Sequence, residues 1–203
     1  MGKRVFDILM ALGGLAVFAL PMGAIALWIR LNSPGPVWFR QERVGRGGRV
    51  FRIHKFRTMA ADAAQRGPEI TIGADPRITR SGAWLRRSKL DELPQLLDVL
   101  AGDMSIVGPR PEVPRYVALY PPALREQVLS VRPGITDPVS LRFADEAEQL
   151  ARAADPEREY REVILPAKLS AAADYARAAT LWSDLAIVGR TLALLARRGA
   201  RGG

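Results

Sequence analysis

The sequence predicts an α+β chain, predominantly helical, with a membrane-associated N-terminal segment and one small β-hairpin. Three observations predict it: an uncharged apolar run from Ile8 to Ile29, two short β-prone runs around a glycine-rich turn at residues 45–48, and helical patterning through most of the chain after Asp145. A hydrophobic fraction of 48% in 203 residues supports a core, and the length suits one compact domain with an appended element.

The apolar run exceeds the about 20 residues that a helix needs to cross a bilayer's hydrocarbon core. Lys3 and Arg4 precede it and Arg30 follows it. Basic flanks prefer the cytoplasmic side, so two of them sit awkwardly with a simple span, and Pro21 removes a backbone hydrogen bond within the run. A re-entrant hairpin that enters from the cytoplasm, breaks at Leu20-Pro21 and returns accounts for both features, leaving Asp7 and Arg30 at the interface. A kinked span and a buried helix stay open on these residues alone. A cleaved signal peptide fits less well, because no polar cleavage region follows before Arg30.

Ser33-Pro34-Gly35-Pro36 ends the apolar segment with turn chemistry. Val37-Trp38-Phe39-Arg40 and Val50-Phe51-Arg52-Ile53 then flank Gly45-Arg46-Gly47-Gly48, which reads as a hairpin turn; it lacks the lysine and following helix of a phosphate-binding loop. His54, alone at the end of the second run, reads as structural. Residues 60–75 read as a surface loop, and Asp75-Pro76-Arg77 opens an ordered basic section. Pro94 confines a helix containing Gln95, Leu96, Leu97 and Leu100 to begin near it. The runs from Asp103 to Pro111 and from Arg132 to Thr136 carry prolines and glycine that exclude regular helix and define irregular loops. The last helix, Leu181 to Arg198, is apolar over much of its circumference with a basic end, which suits either a membrane interface or a core helix with a solvated tail.

The formal charge of +9 and a pI near 10.7 call for an acidic partner: nucleic acid, anionic lipid or a phosphorylated substrate. One histidine and no cysteine make a Ser-His-Asp or Cys-His nucleophile and a Cys/His zinc site poor candidates. That leaves carboxylate chemistry, metal-assisted chemistry through oxygen ligands, or no chemistry, and Asp91-Glu92 stands out within Arg86-Arg87-Ser88-Lys89-Leu90-Asp91-Glu92-Leu93-Pro94-Gln95. Neighbours in a helix point about 100° apart, so these two do not form a facing acid/base pair; one can attack while the other holds a metal. Arginines are the usual means of offsetting the repulsion between a carboxylate and a phosphoryl group. Against this stands a structural role, since Ser88-x-x-Asp91 also matches a capping box.

Together these segments resemble the bacterial sugar transferase family, small monotopic phosphoglycosyl transferases that act on polyprenol phosphate. The resemblance runs in order through Lys3-Arg4-Val5-Phe6-Asp7, the apolar helix, Lys55-Phe56-Arg57-Thr58-Met59, Asp75-Pro76-Arg77-Ile78-Thr79, Leu90-Asp91-Glu92-Leu93-Pro94-Gln95, Gly102-Asp103-Met104-Ser105, Gly108-Pro109-Arg110-Pro111-Glu112 and Arg132-Pro133-Gly134-Ile135-Thr136.

It implies a monotopic protein on the cytoplasmic face of the bacterial inner membrane. Residues 1–32 would be a re-entrant helix broken at Pro21, and residues 33–203 a cytoplasmic catalytic domain with interfacial C-terminal helices. It implies a ping-pong reaction that starts membrane glycan assembly. Asp91 attacks the sugar-bearing phosphate of a nucleotide diphosphate sugar, usually a uridine one, and polyprenol phosphate then takes the phosphosugar from the aspartate. Glu92 matches the magnesium-associated carboxylate, so Mg2+ is the implied cofactor. Arg86 matches a phosphate-contacting position, and Arg87 and Lys55 join it as phosphate-binding candidates. Pro109, Arg110 and Pro111 match the nucleotide loop.

Beside the long members the chain looks like a minimal catalytic form. It departs from many members at Asp137-Pro138-Val139-Ser140, where they continue with Gly-Trp, which leaves the sugar open. The competing reading is a non-enzymatic, basic, membrane-anchored binding module; no nucleic-acid motif supports it. A membrane-bound phosphohydrolase would differ in passing the phosphoryl group to water.

Overall fold

A computed structural model of the chain describes residues 2–67, 70–139 and 146–201; Ser140 lies outside them. Helix α1 (Gly2–Asn32) is one helix of 31 residues. The expected break at Leu20-Pro21 does not interrupt it, since proline removes one hydrogen bond while the turns on either side persist. Both of its ends pack on the body of the protein. Ala11 joins the main core, whereas Ile25 and Ile29 pack with Phe56 and Leu85. Between them, Ala16 to Pro21 are exposed over more than a full turn, so no other described element covers the middle of α1.

The N-terminal flank is tied into the body of the protein. Asp7, expected at the membrane surface, is 2% exposed. It accepts hydrogen bonds from Ser105 Oγ at 2.9 Å and the Ile106 N–H at 3.0 Å, because the backbone there needs a buried acceptor. Arg4 donates to the Val99 and Leu100 carbonyls at 2.6 and 3.0 Å. These are last-turn carbonyls of α3 (Gln95–Ala101), where open acceptors and the helix dipole favour a cation. Lys3 donates to the Val107 carbonyl at 3.0 Å and pairs with buried Asp184.

Strands β1 (Trp38–Val44) and β2 (Val50–Phe56) form the expected antiparallel hairpin, in register from Trp38 opposite Phe56 to Val44 opposite Val50. Its turn puts Gly47 and Gly48 at φ of 67° and 81°, a region glycine enters without strain. Arg57, just beyond, donates to the Pro34 and Ser33 carbonyls at 2.6 and 2.8 Å and so ties the hairpin to the end of α1.

Helix α2 (Arg80–Ser88) starts at Thr79, whose Oγ1 accepts from the Gly82 N–H, and ends at Lys89 in the left-handed region. The two proline-rich loops are more regular than expected. Their cores form parallel strands, β3 (Ser105–Val107) and β4 (Gly134–Thr136), pairing Ser105 with Gly134 and Val107 with Thr136. Between them lie α4 (Pro114–Val117) and α5 (Pro122–Val128). The C-terminal part contributes α6 (Glu146–Arg152), α7 (Pro156–Glu159), a π-turn at Tyr160–Ile164, α8 (Leu165–Ala178) and α9 (Leu181–Arg201).

The main core gathers Ala11, Phe51, Ile53, Leu96, Val99, Met104 and Ile187. A second cluster of Ile70, Val113, Tyr116, Leu150, Tyr160, Ile164 and Leu165 fixes the C-terminal helices to α4. In helix α9, Ile187 is in the core, while Trp182 is 80% exposed.

Candidate active site

The left-handed Lys89 ends α2 and starts a single 3-10 turn, Leu90–Glu92, that delivers Asp91 and Glu92 before Pro94 and α3. The capping-box alternative does not form. Ser88 Oγ donates backward, to the Trp84 and Leu85 carbonyls at 3.0 and 3.1 Å, and leaves Asp91 uncapped. Both carboxylates are 7% exposed. Neither is in the position of a surface first-turn residue.

Their surroundings differ. Glu92 accepts from Lys55 Nζ at 2.8 Å and from Arg110 Nη1 at 3.2 Å, and pairs again with Arg110 Nη2. Burial opposes its charge, but Arg110 and then Lys55 outweigh it and hold the carboxyl well below the usual carboxylate range. Asp91 lacks such a partner: its Oδ1 is buried with no hydrogen bond. Burial, and after it the neighbouring Glu92 charge, push Asp91 above the usual range, with Lys55, Lys89 and Arg86 acting against them. One carboxylate is locked and the other retains free lone pairs.

Lys55 and Arg86 flank this pair. Lys55, on β2, is depressed by burial, partly countered by Glu92. Arg86 donates to Thr58 Oγ1 at 2.9 Å and Thr71 Oγ1 at 3.0 Å, so two neutral hydroxyls hold its charge near the pair. Arg87 is not brought there; it is exposed on the outer face of α2. Pro109 and Arg110 line a cavity of about 530 Å³ together with Lys89, Glu92 and Leu93, within the size range of small-ligand pockets. Pro111 instead contributes its carbonyl, which accepts from Arg43 Nη1 at 2.9 Å.

The loop carrying Arg110 is held by close backbone crossing. The Gly134 N–H donates to the Pro109 carbonyl at 2.9 Å and the Gly108 N–H to the Thr136 carbonyl at 3.1 Å. A Cβ on Gly134 would lie 2.0 Å from the Gly108 nitrogen, so only glycine permits this approach.

The sequence did not single out Arg43, Thr71, Glu112, Tyr160 or Lys168, which also line the cavity. Tyr160 donates to Glu112 at 2.7 Å, and Arg43 lies 3.9 Å from the same carboxylate. Scattered from residue 43 to 168, they share no local pattern; only the charged Q-x-R at Gln41 to Arg43 offered a signal. Asp137, in the departing segment, is 1% exposed, accepts from the Val139 N–H at 2.6 Å and lines the same cavity. His54 is structural as expected: its Nδ1 lies 2.5 Å from Asp98 and its N–H donates to Asp98 at 2.9 Å, linking β2 to α3.

No cluster of three or more His, Cys, Asp or Glu side chains forms among the described residues. Magnesium keeps most of its waters and binds through one or two carboxylates with substrate phosphates, so Glu92 is the side chain that would hold it. Arg110 and Lys55 would then share Glu92 with the ion, a crowding that anionic phosphate offsets.

A family model described as bacterial sugar transferase matches residues 1–198. A protein of Aeromonas hydrophila named UDP-N-acetylgalactosamine-undecaprenyl-phosphate N-acetylgalactosaminephosphotransferase is 39% identical over 98% of the chain, which covers 45% of that relative. A UDP-glucose:undecaprenyl-phosphate glucose-1-phosphate transferase of Caulobacter vibrioides is 40% identical over 94% of the chain and 68% of its own length. An undecaprenyl-phosphate glucose phosphotransferase of Komagataeibacter xylinus is 38% identical over 94% of the chain and 35% of its own length. The chain thus spans between about a third and two thirds of these relatives.

Proposed function

The chain belongs to the bacterial sugar transferase family, and from that premise we propose that it moves a sugar-1-phosphate from a UDP-sugar to undecaprenyl phosphate through a phosphosugar bound to Asp91. The observation that carries this reading is the unequal state of the two adjacent carboxylates. Glu92 is neutralised by Arg110 and Lys55, while Asp91 keeps a buried oxygen without a partner. A carboxylate committed to two cations is a poor nucleophile; an unpartnered one is available for attack.

In the first step an Asp91 oxygen bonds to the sugar-bearing phosphorus and the bond from that phosphorus to the bridging oxygen breaks. UMP leaves with the electron pair. In the second step a phosphate oxygen of the polyprenol attacks the same phosphorus and the Asp91 carboxylate is released, giving a polyprenol diphosphate sugar. Arg110 and Arg86 bring positive charge to the phosphates, and Lys55 keeps Glu92 in place. When bound at Glu92, magnesium supplies further positive charge to the diphosphate. The relatives are named for different sugars, so the donor class proposed is the UDP-sugar, with Asp137 at the part of the cavity where this chain departs from its family.

For the membrane we propose a monotopic arrangement on the cytoplasmic face, with residues 1–32 inserted and residues 33–203 outside. It is supported by the apolar α1, whose two ends both hold the body while Ala16 to Pro21 are exposed. Two ends held by the same body fit one leaflet better than a span.

The test is UMP release from a panel of UDP-sugars by membrane-bound protein, with magnesium and with or without undecaprenyl phosphate. One sugar is expected to give lipid-dependent turnover. Radiolabelled donor without acceptor is expected to leave label on the wild type, while Asp91→Asn takes no label and loses UMP release by at least about a thousandfold. Turnover by Asp91→Asn would remove Asp91 as nucleophile, and no release from any sugar would favour the binding-module reading.

A further inference from the structure

Helix α2 has two functional faces, and only the inner one belongs to the site above. Arg86, facing inward, bonds Thr58 and Thr71. Arg80, Ala83, Trp84 and Arg87 recur at the spacing of one helix face and all are exposed. Arg80 and Arg87 make no hydrogen bond or ion pair among the described residues. Between them stands Trp84, 43% exposed.

This face continues directly from α1. Trp84 meets Trp28, in the last turns of α1, edge to face with ring centroids 5.5 Å apart. Trp38, 42% exposed, stacks on Phe56 at 5.0 Å, and Phe56 packs with Ile25 and Ile29. Leu27 and Leu31 on the same arm are 61% and 76% exposed. Bare leucine, three tryptophans and the unpaired arginines therefore lie along one connected surface, and these are the residue types that meet a bilayer's hydrocarbon, its boundary and its phosphates.

Resting on the membrane reading above, we propose that the outer face of α2 lies in the headgroup layer, where Arg80 and Arg87 bind the phosphates of anionic phospholipids and Trp84 and Trp28 mark the hydrocarbon boundary. Continuity with α1 and two uncompensated guanidinium groups argue for this occupant. Arg87, a candidate for substrate phosphate on sequence grounds, is a lipid contact in this arrangement. Because Arg86 precedes Arg87 by one position in α2, the same element that grips the headgroups holds the active-site arginine at a fixed depth.

The test uses the full chain reconstituted in phosphatidylcholine bilayers that contain brominated phosphatidylglycerol or, at equal mole fraction, brominated phosphatidylcholine. Trp28→Phe, Trp38→Phe and Trp182→Phe leave Trp84 as the sole fluorophore. Its emission is expected to be quenched several-fold more strongly by the brominated phosphatidylglycerol, and Arg80→Gln with Arg87→Gln to abolish that preference while quenching by phosphatidylcholine persists. Equal quenching by the two lipids, or none, overturns the proposal. A second reporter, Leu20→Trp with all four native tryptophans replaced by Phe, reads α1 itself. If it is quenched while Trp84 is not, only the α2 inference fails; if neither is quenched, the membrane reading fails with it.

Discussion

Asp91 and Glu92 are adjacent in the chain and opposite in electrostatic condition, and that contrast has a measurable acid limb. Attack requires ionised Asp91, so activity falls as pH drops through its pKa. The Glu92 charge raises that pKa and Lys55 lowers it. Glu92→Gln is therefore expected to move the acidic limb of kcat/KM to lower pH, and Lys55→Met to higher pH, each on a residual activity reduced by about tenfold or more. Limbs that stay put, or shift the other way, would dissociate this limb from Asp91. At this scale the sequence was informative where chemistry is local. Arg86 and Lys89 crowd Asp91 within six residues, and a carboxylate among cations is visible in one dimension. Arg43, Thr71 and Tyr160 were not visible, because their shared cavity exists only once β1, the loop after β2 and the π-turn converge.

Among the elements, glycine positions decide how closely backbones approach. Gly82, in the first turn of α2, faces the Thr58 carbonyl so closely that a Cβ would lie 1.9 Å away. Gly82→Ala must part α2 from the loop after β2, with an expected loss of about 2–4 kcal/mol and a fall in Tm of several degrees. Gly189→Ala, on α9 with nothing within 4 Å of its Cβ, is the control and should be neutral or slightly stabilising. Thermal unfolding of the two variants in the same detergent checks both; equal Tm values would contradict the packing at Gly82. The hairpin was legible because alternation and a glycine turn are local signals. The proline loops were legible as non-helical, yet not as β3 and β4, since three-residue strands carry no periodicity and their pairing joins residues far apart in sequence. The burial of Asp7 was hidden for a related reason: hydropathy assigns a charge beside an apolar run to the surface, whereas the N–H of Ile106 supplies it a partner inside.

For the whole molecule the question is how α1 relates to the bilayer. The chain has no cysteine, so Gly2→Cys and Leu31→Cys can be labelled against an empty background. Membrane-impermeant maleimide is expected to reach both from the cytoplasmic side in inverted vesicles and neither from outside intact cells; labelling from opposite sides would rule out re-entrance. The length of the apolar run was plain in the sequence. That both of its ends are anchored in the same body was not, because the anchors are side chains such as Arg4 and Asp7 reaching partners about a hundred positions away. One of these ties spans nearly the full chain: Lys3 meets Asp184, which Tyr175 also holds at 2.7 Å. A ribosome adding about 5–20 residues per second reaches Asp184 many seconds after Lys3 has emerged. Throughout that interval the N-terminal arm lacks this clasp, so the tie can close only after nearly the whole chain has been made.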